Sequence, residues 1–204
     1  MNALPKKKYT VEEYFQMELT APYKSEYYKG EIFPMGEIEG DTPEAMAGAL
    51  PAHNAISSNM IIAFGIKLRG KGCRPFGSDQ RIFIPETGLY TYPDISVFCN
   101  NVQYQDNMTL KNPVLLAEIL SKVTEGYNRG SKFEMYRSIP ALIEYLMVDS
   151  RRVHVELWRK ENHKWVLAAE TNDVNQTIEL KSIENTFSLQ DFYFDTLKMM
   201  EQQQ

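Results

Sequence analysis

Asp94, Glu118 and Lys132 are the residues of this chain whose types and spacing can do chemistry. Glu118 interrupts the apolar run Val114-Leu-Leu-Ala-Glu118-Ile-Leu120, which would otherwise read as a strand buried on both faces of a sheet. An ionised carboxylate buried there costs on the order of several kcal/mol unless a cation or hydrogen-bond donors compensate it. Asp94 follows Pro93 in Tyr92-Pro-Asp94-Ile-Ser-Val97. Proline cannot donate to a sheet, so Asp94 is expected at a strand entrance, facing a cleft. Two carboxylates on neighbouring strands, about 5 Å apart, repel each other unless they share a divalent ion. Hard oxygen ligands with room left for water and a phosphate predict Mg²⁺, with Mn²⁺ as the alternative. Lys132 falls on the helix expected directly after the Glu118 strand, one turn from Arg129 and Tyr136. Its ammonium would stabilise a pentavalent phosphorus transition state or orient the attacking water. The order acid, acid, base therefore predicts metal-dependent phosphodiester hydrolysis.

Each residue also has a structural reading. Asp94 could cap a turn, Glu118 could pair with a buried Arg, and Lys132 could be a solvated helix residue. Glu26 reads equally as a cross-strand partner or as a further acid at the site. His53, near a helix start, fits a capping or packing role as well as a general base. Asp79, in Gly77-Ser-Asp-Gln-Arg81, fits a turn as well as a ligand, and Tyr136 fits packing as well as catalysis. The Arg151-Arg152 pair reads as a solvated hairpin turn, and Trp158 and Trp165 as core or dimer contacts.

The elements that must place these residues follow from periodicity and punctuation. Thr10 with Glu13 gives a capping box ahead of a short helix carrying Val11, Tyr14, Phe15 and Leu19. Ser25 to Met35 predicts two short strands around Lys29-Gly30. The Gly-, Pro- and acid-rich stretch Glu37 to Leu50 predicts an exposed loop or flap. A helix is expected from Pro51 or Ala52 to about Leu68, with Ile56, Met60, Ile61, Phe64 and Leu68 on one face and Gly70 and Gly72 ending it. Arg74 to Ile84 and Tyr92 to Cys99 predict a strand pair joined at Pro85-Glu-Thr-Gly88. After the Glu118 strand come a loop, a helix from about Asn128 to Arg137 ended by Pro140, and strands at Glu144 to Val148 and Val153 to Trp158. Trp165 to Ala169 and Thr177 to Leu180 continue a meander, Ser188 to Phe194 begins a last helix, and Met199 to Gln204 is expected to fray.

With 204 residues, 43 % hydrophobic and 12 % aromatic, the chain suits one domain over residues 1–204 with flexible ends at 1–9 and 198–204. A net charge of −5 gives no basic footprint of a dedicated DNA-binding domain, although a nuclease needs only a local basic rim. Cys73, Cys99 and three scattered histidines give no zinc spacing. Met1 to Lys8 lacks the apolar core of a secretory signal, and no stretch approaches 18 apolar residues, so a cytoplasmic protein is expected.

The sequence resembles the Uma2 (formerly DUF820) family of the PD-(D/E)XK restriction-endonuclease-like superfamily over about Ser25 to Leu197. The resemblance is carried by Glu26-Tyr-Tyr-Lys-Gly-Glu-Ile32, His53-Asn54, Tyr92-Pro-Asp94-Ile-Ser-Val97 and Pro113-Val-Leu-Leu-Ala-Glu118-Ile-Leu-Ser121. Its most specific piece is Tyr127-Asn-Arg-Gly-Ser-Lys132-Phe-Glu-Met-Tyr136-Arg137, followed by Ile139-Pro140 and Glu144-Tyr145-Leu146. The superfamily motif puts a Lys two residues after the Glu, where this chain has Leu120. The resemblance implies that Lys132 supplies the ammonium from the following helix. It implies an α/β fold with a mixed central β-sheet flanked by helices, Mg²⁺ at Asp94 and Glu118 with the Ile119 carbonyl as a third ligand, and a homodimer that reaches both strands of a duplex. DNA is the expected substrate. A nuclease-like scaffold that has lost hydrolysis and serves as a binding module is the alternative, and hydrolysis of another phosphate ester a third.

Overall fold

Lys29 and Gly30 both take positive φ, 48° and 87°, as a two-residue hairpin turn matched to right-handed strand twist requires. They join β1 (Ser25–Tyr28) to β2 (Glu31–Pro34), as the sequence predicts. Ahead of them α1 (Val11–Glu18) starts at the expected capping box, with both of its reciprocal hydrogen bonds formed. The computed structural model describes residues 7–35 and 50–203. Except for Leu50, the expected loop from Glu37 to Leu50 lies outside the described residues.

α2 (Pro51–Leu68) opens on a proline at its first turn and buries Ala52, Ile56, Met60, Phe64 and Leu68, a stripe at fourfold spacing. Next come β3 (Cys73–Gly77), β4 (Arg81–Ile84), β5 (Leu89–Thr91), β6 (Ile95–Cys99), β7 (Tyr104–Asp106), β8 (Thr109–Leu110) and β9 (Leu115–Leu120). A helical segment follows as α3 (Glu125–Tyr127), a wide turn over Asn128–Lys132, and α4 (Phe133–Tyr136). The chain closes with β10 (Glu144–Asp149), β11 (Val155–Glu161), β12 (Lys164–Thr171), β13 (Thr177–Leu180), β14 (Asn185–Ser188), α5 (Leu189–Phe192) and α6 (Leu197–Glu201).

The central sheet has the order β12-β11-β10-β9-β6-β3 and is mixed, with β9 and β10 parallel and the other pairs antiparallel. One face of it packs Ile95, Val97, Ala117, Ile119 and Val148 against α2 and the C-terminal Phe187 and Phe192. The other packs Phe98, Leu116, Leu120 and Tyr145 against Phe133, Tyr136 and residues of a second sheet. That second sheet runs β2-β1-β5-β4-β8-β7.

Three sequence expectations are corrected here. Arg74 to Ile84 is not one strand: the turn from Gly77 to Arg81 breaks it, so β3 pairs with β6 in the central sheet while β4 pairs with β5 in the other. The Pro85–Gly88 turn therefore joins β4 to β5. β13 leaves the meander and pairs with β14 in a separate hairpin. Met200, in the stretch expected to fray, is buried against the α2 core. The rings of Trp158 and Trp165 pack on Phe133, with centroids 5.4 and 5.5 Å away. Cys73 and Cys99, considered in the sequence only as metal ligands, face each other across β3 and β6 and form a disulfide.

Phe64 sits edge-on to Phe187 at 4.8 Å and joins α2 to the C-terminal hairpin. Phe64→Ala should lower the unfolding free energy by about 3–5 kcal/mol. Urea titration should show a lower midpoint with an unchanged slope.

Candidate active site

Ile95 pairs with Ala117 in the antiparallel ladder between β6 and β9, so one further step sets Asp94 opposite Glu118 on the face of Leu116 and Leu120. Pro93 has no N–H with which to extend the ladder, and the Asp94 side chain instead closes it: Oδ2 accepts the Ile119 N–H at 2.8 Å. Both carboxylates line a cleft of about 810 Å³. Glu118 is 2 % exposed, and its Oε1 accepts from the Tyr136 hydroxyl at 2.7 Å and from Lys132 Nζ at 3.0 Å. Lys132, 3 % exposed, also lies 3.4 Å from Glu26 Oε1. Glu26 in turn accepts from Tyr127 at 2.6 Å and from Thr91.

Lys132 reaches this point because of how its segment is seated. Phe133 stacks on Tyr145 of β10 at 4.8 Å, Tyr136 meets the same ring edge-on at 5.5 Å, and Tyr145 donates to the Asn128 carbonyl at 3.1 Å. The helical path is interrupted at Gly130 (φ −98°, ψ −109°), which turns Lys132 inward. Arg129 does not share its face, contrary to the sequence reading. It pairs with Glu125 at 2.9 Å and Glu156 at 2.6 Å.

The charges at the base of the cleft are unequal: three carboxylates, Glu26, Asp94 and Glu118, meet one buried ammonium. Burial raises the Glu118 carboxyl and the Asp94 charge adds to it. Lys132 and the Tyr136 hydrogen bond oppose this, and the balance is about 7. Burial would raise Asp94 too, but His53, the Ile119 amide and Lys132 outweigh it and hold this carboxyl low. Burial would lower Lys132, yet the charges of Glu118, Glu26 and Asp94 raise it and keep the ammonium protonated. Burial, with the Glu118 charge next, pushes the Tyr136 hydroxyl well up, so it stays a donor. From neutrality upward we take Glu118 and Lys132 as an ionised pair, since both donors on Oε1 favour the carboxylate. The surplus charge is then negative and open to a cation.

The structure brings Glu26, His53, Asp94, Glu118 and Lys132 into one cleft and puts Tyr136 beneath it. His53, in the first turn of α2, sets Nε2 3.4 Å from Asp94 Oδ2 and meets the Ile119 backbone carbonyl. Asp79 is elsewhere. Its side chain is 96 % exposed and pairs with Lys24, because the residues around it form the turn that divides β3 from β4. Tyr127 went unweighed in the sequence, although it opens the motif string that ends in Lys132 and Tyr136. A further donor group, His154, Glu156 and Glu170, lies outside the cleft, where Arg129 already neutralises Glu156.

A family model described as "Putative restriction endonuclease", Uma2, matches residues 11–191. The chain belongs to the Uma2 family. "Uncharacterized protein sll1609" of Synechocystis sp. (strain ATCC 27184 / PCC 6803 / Kazusa) is 35 % identical over 172 residues, covering 83 % of this chain and 91 % of that protein. "Uncharacterized protein slr1290" of the same organism is 34 % identical over 190 residues, 93 % of each. The crystal structure of "a putative nuclease belonging to DUF820 from Anabaena variabilis ATCC 29413" superposes with a TM-score of 0.65 at 18 % identity, over 94 % of this chain and 98 % of that one. This likeness establishes the restriction-endonuclease-like α/β fold for the Uma2 chain. No helix among its described residues is long and apolar enough to cross a membrane.

The raised Glu118 carboxyl has a consequence for stability. A group whose folded pKa of about 7 exceeds its ordinary 4.5 holds its proton longer in the folded state. Its stabilising contribution is complete below pH 4.5 and is lost as pH rises through about 7. In the metal-free protein, Glu118→Gln should remove that fall, on the order of 1–3 kcal/mol. Thermal unfolding at pH 5 and pH 8 should show a flatter profile for the variant and a higher Tm than the parent at pH 8.

Proposed function

We propose that this Uma2 protein is a Mg²⁺-dependent nuclease that hydrolyses phosphodiester bonds of DNA, with Mn²⁺ able to replace Mg²⁺. The observation that supports this most is the placing of Asp94 opposite Glu118 with Lys132 Nζ 3.0 Å from Glu118, at the base of an open cleft. The donors suit a hard cation. Hydrogen bonds occupy Asp94 Oδ2 and Glu118 Oε1, so each carboxylate keeps its second oxygen for the ion. The Ile119 carbonyl would be the third protein ligand. A divalent cation held there would neutralise a phosphodiester and lower the pKa of the attacking water.

In this reading Lys132 is the catalytic residue that meets the charge developing on phosphorus. Glu118 and Glu26 hold its ammonium in place before the reaction, so little reorganisation is needed. Tyr136 is a positioning residue acting through Glu118, and Tyr127 acts likewise through Glu26. Phe33, Met35 and Leu89 in the cleft wall would exclude water beside the scissile bond.

A catalytically silent scaffold is the second reading, favoured by the tight hold of two carboxylates on Lys132 and by the net charge of −5. We further propose a cytoplasmic homodimer. A monomer by sedimentation at micromolar concentration would count against the pairing.

Plasmid, single-stranded DNA and RNA incubated with Mg²⁺, Mn²⁺ or EDTA separate the two functional readings. Lys132→Ala should lower turnover by roughly 10²- to 10³-fold, the range for removing one such donor. Calorimetric metal binding should survive that change, since an ammonium is not a ligand, and should vanish in Asp94→Asn. Lys132→Arg should rescue poorly, because a planar fork cannot replace a compact point charge. A parent that binds metal and cleaves nothing supports the scaffold.

A further inference from the structure

His53 is the cleft residue that the hydrolytic scheme leaves unused. It is not a helix cap: the N-cap of α2 is Leu50, and no side chain caps that end. Nor is the ring anchored as a packing histidine would be. Nδ1 is buried and has no hydrogen-bond partner among the described residues. Nε2 stands 3.4 Å from Asp94 Oδ2, outside the range of about 2.7–3.2 Å for a good N–H···O bond. That oxygen already has a donor, the Ile119 amide at 2.8 Å. Nε2, which faces Asp94 and the Ile119 carbonyl, makes no hydrogen bond of good length to that carboxylate and is the nitrogen placed to bind an ion.

The same placing suits a shared ion. Ligands at right angles on one cation, each bonded at about 2.1 Å, stand roughly 3 Å apart, and Nε2 at 3.4 Å from Oδ2 is beside the carboxylate whose other oxygen is kept for the ion. The ring also lies against the Ile119 carbonyl, and it is only 15 % exposed at the cleft floor. Three donors therefore gather on one side of the cleft: the Asp94 carboxylate, the Ile119 carbonyl and an imidazole from a different element.

We infer that His53 is a protein ligand of the divalent ion, and that its nitrogen tilts the site towards Mn²⁺ over Mg²⁺. The inference rests on the metal site proposed above. Imidazole suits borderline transition ions, whereas Mg²⁺ is held by oxygen and gives up its waters reluctantly. A site of carboxylates and a carbonyl alone would discriminate little; one with imidazole added binds Mn²⁺ more tightly.

Calorimetry with Mn²⁺ and Mg²⁺ on the parent, His53→Gln, His53→Ala and Asp94→Asn tests this, with thermal unfolding to establish that each variant is folded. Both His53 variants should lose roughly 10-fold or more in Mn²⁺ affinity, since even residues that merely orient a metal's ligands are worth 10- to 100-fold. Their Mg²⁺ affinity should change by less than about twofold, as expected for an ion that favours oxygen. Pulsed electron paramagnetic resonance of the Mn²⁺-loaded parent should show nitrogen coupling that is absent from His53→Gln. If the His53 variants keep the parent's Mn²⁺ affinity while Asp94→Asn loses it, the inference falls and the carboxylate site stands. Equal losses for both ions overturn the selectivity. Parent-like Mn²⁺ binding by Asp94→Asn overturns the site and the inference together.

Discussion

A carboxylate in the middle of a strand buried on both faces is the constraint around which this molecule is arranged. β9 has no exposed residue, and Glu118 has no route to solvent except into the cleft. The desolvation cost of such a charge is on the order of several kcal/mol and must be met locally. Lys132 and Tyr136 meet part of it through one oxygen, and both come from a single helical segment. Asp94, opposite Glu118 one step beyond the ladder, makes matters worse instead of better, and the whole base of the cleft is left with surplus negative charge.

The surroundings of that charge are heavily cross-braced. Tyr145 on the neighbouring strand holds Phe133, Tyr136 and the Asn128 carbonyl at once, so the segment carrying Lys132 is fastened to the sheet on both sides of it. Glu26, from the second sheet, takes the remaining side of the ammonium and is itself held by Tyr127 and Thr91. Two sheets and one broken helix thus meet at a nitrogen atom. Every bond in this set is local in space and none is local in sequence.

Much of this was legible from the residues alone. The Lys29-Gly30 turn, the capping box at Thr10 and the stripe on α2 follow from short-range chemistry, and each was found at its expected place. The Glu in an apolar run and the Pro before Asp94 pointed to the cleft for the same reason. Partnership was not legible. Nothing within Arg74 to Ile84 says that its two halves join different sheets, because strand pairing is decided by which distant surface needs covering. Helical spacing grouped Arg129 with Lys132, but the break at Gly130 separates them, and a glycine in sequence does not announce its torsion angles. Asp79 could be read as a turn residue or a ligand, and it lies in the turn where the chain changes sheets.

The ammonium at this cleft comes from a different element than the carboxylate it touches, and position 120 is left to a leucine buried in the core. A lysine two residues after Glu118 would share that strand's face and would have to replace this leucine. Placing the charge on a separate segment frees the strand to be wholly apolar apart from one residue. It also makes the completeness of the cleft a matter of docking: Lys132 reaches Glu118 because Phe133 and Tyr136 seat its segment on Tyr145. The strand and the charge that answers it are thereby set by different parts of the chain, joined through the packing between them.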